Sequence, residues 1–191
     1  MNKYILKSIR DNAELLDSLT KDDELINKID QLAKKCCLAH NNGGKIIFAG
    51  NGGSASDCQH LAAELIGRFE KDRPPLKSIS LNTDTSVITA LSNDYSYDTV
   101  YQRQLEILGD AKDLLVVIST SGNSKNILEA LKIAKRKKIK TISFLGGNGG
   151  KALKLSQNSI VIPSKNTARV QEMHIFLGQL ICSNVEKILK L

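Results

Sequence analysis

Tryptophan is absent from this sequence, and aromatic residues of all kinds make up only 4% of it. The core must therefore be aliphatic, and a surface that stacks nucleobases on interleaved aromatics has nothing to be built from. Long apolar runs are missing too. None approaches the roughly 18 residues of a membrane-spanning helix, so no membrane partner is expected. Met1 to Arg10 carry charges but no apolar h-region, which argues against a secretory signal and for a cytoplasmic protein. Cysteine is sparse: Cys36, Cys37, Cys58 and Cys182 form no C-x-x-C pair, and reduced, mostly buried thiols are expected.

A length of 191 residues suits one domain, 1–191, with one core. The net charge of +7 can attract nucleic acid, but it attracts phosphorylated metabolites as well. The densest basic run, Lys135-Arg136-Lys137-Lys138, falls at the end of an amphipathic helix, where cations suit the dipole. Without interleaved aromatics, nucleic acid is the weaker reading.

Helical periodicity opens the chain, over Lys3–Leu19 and again over Asp22–Asn41, stopped by Gly43-Gly44. Residues 1–42 read as an added helical layer, available for subunit packing. The rest, 43–191, alternates. Apolar β runs appear at Lys45–Ala49, Lys77–Leu81, Leu114–Ile118, Thr141–Leu145 and Ser159–Ile162. Helical segments separate them at Ser56–Phe69, Thr85–Leu91 with Tyr97–Leu108, Lys125–Lys137 and Gly150–Leu155, and a last helix covers Thr167–Leu189. Short, nearly all-apolar strands alternating with helices predict a three-layer α/β/α fold on a five-stranded parallel sheet. Such sheets bind ligands outside the carboxyl ends of their strands, which directs attention to the loops there.

The first of these loops reads Gly50-Asn51-Gly52-Gly53-Ser54-Ala55. It matches the dinucleotide fingerprint G-x-G-x-x-A, but the acidic residue due at the end of the next strand is missing. Asp84 lies too far along, and Glu70 and Asp72 precede the strand, so no nucleotide cofactor is expected. The third loop, Ser119-Thr120-Ser121-Gly122-Asn123-Ser124, puts four hydroxyls and a glycine at a helix start. That composition suits a phosphate, which hydroxyls and the helix dipole both favour. A plain helix cap by Ser119 or Ser124 competes.

His60 and Glu64, spaced i, i+4, share a helix face. They read as general base and partner, as two metal ligands, or, if Glu64 pairs with Arg68, as part of a surface ion pair. On the last helix Gln171 and His174 fall among apolar neighbours, either reaching a pocket or, for His174, filling the core.

Taken in order, five segments resemble the phosphoheptose isomerases of the sugar isomerase (SIS) domain family. They are Gly50-Asn51-Gly52-Gly53-Ser54, His60 with Glu64, Asn93-Asp94, Ile118-Ser119-Thr120-Ser121-Gly122-Asn123-Ser124 and Ala168-Arg169-Val170-Gln171-Glu172-Met173-His174. Each is common alone; together, in register over essentially the whole chain, they are specific. The resemblance implies the SIS fold and a homotetramer with sites at subunit interfaces. It implies conversion of sedoheptulose 7-phosphate to D-glycero-D-manno-heptose 7-phosphate, which leads to heptose for bacterial surface glycans such as lipopolysaccharide and capsule. The implied substrate-binding set is Asn51, Gly52, Gly53, Ser54, His60, Glu64, Arg68, Asn93, Asp94, Ser119, Thr120, Ser121, Ser124 and Gln171, with Glu64 and His60 as the catalytic pair.

The resemblance further implies, in some members, zinc held by ligands matching His60, Glu64 and Gln171. One departure stands out: the family's further histidine falls at Gln179 here, which weakens the zinc set and leaves the second proton-transfer role unassigned. A non-enzymatic SIS branch, a tetramer that binds the replication initiator DnaA, is the alternative. Arg68-Phe69-Glu70-Lys71-Asp72-Arg73-Pro74 and Asn82-Thr83-Asp84 are similar to it, but it departs from the enzymes at the positions of Glu64 and Ser121, which this sequence keeps.

Overall fold

Runs of β-branched and aliphatic residues fold as five short strands: β1 (Ile46–Gly50), β2 (Ser78–Ser80), β3 (Leu114–Ser119), β4 (Lys140–Gly146) and β5 (Asn158–Ile162). The computed structural model describes residues 2–191. In it every strand pair is parallel and the order is β2-β1-β3-β4-β5. The order reverses at β1: the chain leaves β1 outward to β2, then returns to β3 on the other side. Gly50 ends β1 beside Ile118 of β3, so the loops that follow these two strands flank a topological switch point.

The helices are α1 (Lys3–Thr20), α2 (Asp23–Asn41), α3 (Gly53–Ile66), α4 (Thr85–Asp94), α5 (Val100–Leu108), α6 (Lys125–Arg136), α7 (Ala152–Leu155) and α8 (Thr167–Leu189). A single 3-10 turn, Tyr97–Thr99, leads into α5. The helix expected over 56–69 instead starts at Gly53, because Gly52 takes the cap position, and it ends before Gly67.

Side chains alternate across the pleat, so each strand feeds two cores. Phe48, Val116, Ile118, Ile142 and Phe144 face α2, α3 and α8. Ile47, Ala49, Leu115, Val117 and Leu145 face α5 and α6. The three-layer α/β/α expectation holds. All four cysteines are free and buried, and burial raises the pKa of each thiol. No described helix is long and apolar enough to cross a membrane.

Of the leading helices α2 lies over α8, and α1 packs against α2. Motif residue Arg169 turns toward them: its Nη1 donates to Ser8 O at 2.9 Å and to Ser8 Oγ at 2.7 Å, while its Nη2 bonds Glu172. Beyond that contact α1 leaves Tyr4, Ile5, Ile9 and Leu16 exposed.

Candidate active site

Two strand-to-helix turns at the switch point shape the site. After β3, Ser119 Oγ accepts the Gly122 N–H at 3.1 Å and Ser121 Oγ accepts the Asn123 N–H at 3.2 Å. Ser124 occupies the N-cap of α6, but its hydroxyl makes no capping bond. The plain cap is thus not what these hydroxyls do: each serine that shapes the loop keeps its O–H free to donate. The loop is locked to the one after β4, where the Ala152 N–H reaches Gly122 O at 2.9 Å and the Lys151 N–H reaches Asn123 Oδ1 at 3.1 Å. Thr120 and Ser121 line a cavity of about 290 Å³ with Asn148, Ser164, Lys165 and Thr167. An open groove of about 870 Å³ between α6 and α7, rimmed by Lys125, Lys132, Lys151 and Lys154, shares Asn148 with that cavity and takes in Asn123 of the loop, but contains neither His60 nor Glu64.

After β1, the turn is held by side chains from elsewhere. Asn51 and Asn126 exchange amide bonds at 2.9 and 2.8 Å. The Tyr97 hydroxyl donates to Asn51 Oδ1 at 2.9 Å, Tyr101 bonds Gly50 O, and Asn82 Nδ2 reaches Gly50 O at 2.7 Å. Asn126 is 2% exposed within the apolar stripe of α6. Sequence reasoning missed this network; a polar residue in a buried stripe was its one visible signal. Asn51 Oδ1 is saturated, which leaves one amide hydrogen for a ligand.

α3 and α8 form the third wall. Asp57, His60 and Glu64 lie at i, i+3 and i+7 on one face of α3. His60 Nε2 stands 2.9 Å from Glu64 Oε1, and the Gln179 carboxamide stands 3.3 Å from the same nitrogen. Glu64 therefore pairs with His60, and the surface pair with Arg68 does not form. Gln171 reaches in from α8 of the same chain, where its carboxamide abuts the Gly53 backbone and leaves no room for a Cβ there, while Asp57 Oδ2 stays buried without a hydrogen-bond partner. Burial raises the Asp57 pKa, although Gln171 and His60 work against it. Close approach of the two helices needs Gly178: a Cβ there would stand 2.6 Å from Leu61 Cδ1.

Other candidates fall outside this cluster. His174 is fully buried, its Nε2 3.0 Å from Leu145 O; burial pushes its pKa down to about 4. It is a core histidine. Asn93 and Asp94 end α4, exposed and bonded to each other at 2.9 Å. Arg68 is exposed in the turn after α3.

Zinc needs about three strong imidazole, thiolate or carboxylate donors. Around His60 the seam offers one imidazole, the Glu64 carboxylate and the Gln179 carboxamide, with Asp57 and Gln171 nearer the start of their helices, and among the described residues no three His, Cys, Asp or Glu converge. This donor set does not fit tightly held zinc.

Comparison with known proteins agrees with the architecture. The SIS domain pattern matches residues 9–146. Phosphoheptose isomerase from Sulfurimonas denitrificans is 48% identical over 98% of this chain and 96% of its own. That from Aneurinibacillus thermoaerophilus is 46% identical over 98% and 94%. The solved structure of phosphoheptose isomerase GmhA from Neisseria gonorrhoeae superposes with a TM-score of 0.91 at 36% identity, covering 97% of this chain and 98% of that one.

Proposed function

This chain belongs to the SIS domain family, with phosphoheptose isomerases as full-length relatives, and we propose that it interconverts sedoheptulose 7-phosphate and D-glycero-D-manno-heptose 7-phosphate. It is a phosphosugar isomerase. The observation that carries the reading is that the chain supplies both a paired carboxylate, Glu64 with His60 on α3, and, at the carboxyl edge of the sheet, a hydroxyl-rich loop at an uncapped helix start.

In the proposed reaction the phosphate sits on the 119–124 loop, held by Ser119, Thr120, Ser121 and Ser124, with Lys165 across the cavity. Ser54 joins them at the phosphate and Asn51 serves the sugar hydroxyls, while Asn93, Asp94 and Arg68, outside the cluster within one chain, would meet the sugar across a subunit interface of the proposed homotetramer. Glu64 takes a proton from C1. The C1–H electron pair becomes the C1=C2 bond, and the C2 carbonyl pair moves onto O2, which takes a proton from protonated His60. O1–H then returns a proton to His60 as C1=O forms, and the C1=C2 pair takes the proton from Glu64 at C2. Gln171 supplies an amide donor that stabilises the charge developing on the sugar oxygens as the enediol forms. No step is routed through a metal, since the donor set is poor for one. The product's place is heptose supply for surface glycans, in the cytoplasm, by a homotetramer. Support for the tetramer is the exposed apolar face of α1 together with Phe176 and Leu180 on α8.

The test is incubation of the purified protein with sedoheptulose 7-phosphate in deuterated water, followed by NMR. The aldose product should appear with deuterium at C2. Turnover of a different phosphosugar in preference would displace the substrate assignment, and no exchange into any phosphosugar would sink the mechanism.

A further inference from the structure

Glu64 sits in the last turn of α3, where a helix leaves its final carbonyls without intrahelical partners. Two of those carbonyls are taken by one side chain from beyond the helix. Arg73 Nη2 donates to Glu64 O at 2.8 Å, and Nη1 donates to Leu65 O at 2.9 Å and Pro74 O at 3.2 Å. Arg73 Nε in turn donates to Glu186 Oε1 at 2.7 Å. Glu186, on α8, also accepts the Phe69 N–H at 3.2 Å and the Glu70 N–H at 3.1 Å. Both side chains are 1% exposed, and neither leaves a buried polar atom unpartnered.

An ion pair this deep is a weak device for stability, because desolvation of both charges offsets their attraction. What it fixes is more telling. One end holds the backbone of Glu64 itself. The other end lies seven residues, about two turns, after Gln179 on the same face of α8. The pair thus sets the register between the helix that carries the carboxylate and the helix that faces it.

We propose that Arg73 and Glu186 are positioning residues for the proton-transfer carboxylate: they clamp the last turn of α3 onto α8 so that Glu64 stays against His60 and over the reacting carbons. The inference rests on the reading of Glu64 as the base. A displacement of about 1 Å at a reacting group can cost on the order of 10²-fold in rate. The clamp should therefore act on kcat and leave the phosphate end untouched.

The experiment compares the parent with the double variant Arg73→Met/Glu186→Gln, which leaves no buried charge and keeps an acceptor for the Phe69 and Glu70 amides. Glu64→Gln is run alongside. Each is assayed below its melting transition for kcat, KM and solvent deuterium exchange, and for inorganic phosphate binding by calorimetry. The expected result for the folded double variant is a kcat at least tenfold lower with KM and phosphate affinity within about twofold of the parent. If it does not fold, Arg73→Lys carries the test. That change keeps the pair with Glu186 but cannot donate to both carbonyls in the same geometry, and the same kcat loss is expected. A parent-like kcat in the folded double variant, or in Arg73→Lys, overturns the clamp. A parent-like kcat in Glu64→Gln overturns the base reading instead, so the two failures are told apart.

Discussion

The two ends of the site are built on opposite plans. At the phosphate end, six consecutive residues, 119–124, make their own turn: the serine oxygens accept the loop's own N–H groups. At the proton-transfer end, Asp57, His60 and Glu64 meet Gln171 and Gln179 from a helix more than a hundred residues along. A loop that makes its own turn leans on few side chains from elsewhere, here only the backbone and Asn123 contacts with the loop after β4. A seam between two helices depends on every residue that sets their spacing.

The sharpest way to break the comparison is at the seam. Glu64→Gln keeps the shape and removes the basic oxygen. Turnover should fall about 10²- to 10⁴-fold with the melting temperature nearly unchanged, since Glu64 is partly exposed and its removal leaves no buried charge. Steady-state kinetics and a thermal melt decide it; parent-like turnover would make Glu64 a surface residue.

The counterpart at the phosphate end is Ser119→Ala with Ser121→Ala. Each hydrogen bond to a charged group contributes about 1.5–3 kcal/mol, so losing two should raise KM by at least roughly 10²-fold while kcat at saturation stays near the parent's. Phosphate titration by calorimetry should show the same loss. A fall in kcat with unchanged KM would mean that the loop serves the chemistry rather than the phosphate.

The same contrast explains what could be read from sequence. The 119–124 loop was legible because its function is contiguous: hydroxyls, a glycine and a helix start in one string. The parallel sheet was legible because buried strands are short apolar runs between helices. His60 and Glu64 showed as an i, i+4 pair, and the family resemblance placed Gln171. Asp57, Asn126, Arg73 and Glu186 were not legible. Their partners lie far off in sequence, so no local period marks them. Asn126 and Asp57 were polar residues at buried helix positions, a signal visible only once the buried face is known. His174 shared a face with Gln171, yet it lies in the core against Phe144, because that face of α8 passes from the site into the interior within one turn.

Gly178→Ala tests the spacing of the seam alone. The added methyl meets Leu61, which is 1% exposed and has little freedom to yield. Overpacking should destabilise the fold by about 1–3 kcal/mol. If the helices move apart, kcat should drop by about tenfold with KM for the phosphosugar unchanged, a smaller loss than removing the base itself. Denaturant unfolding and kinetics on the folded fraction give both numbers. Lowered stability with parent-like kcat would show that Leu61 absorbs the methyl and that seam spacing is not critical.

The smallest effect on turnover is expected from Gln179→His, although its effect on metal content should be plain. The Gln179 carboxamide lies 3.3 Å from His60 Nε2, so a histidine there would place a second imidazole beside His60 and Glu64. Two imidazoles and a carboxylate make a set that zinc accepts, whereas a carboxamide oxygen is a weak donor. The variant should therefore hold more zinc than the parent when both are purified side by side and analysed by mass spectrometry. The parent should keep its turnover after treatment with a chelator, because Glu64 and His60 carry the proton transfers without a metal. The metal-free variant should turn over within a few-fold of the parent, since Glu64 and the phosphate loop are untouched. A parent that purifies with one zinc per chain and loses activity on chelation would overturn the metal-free route. It would also erase the contrast between the two ends, by giving the seam a fixed centre that holds it together as the serines hold their loop.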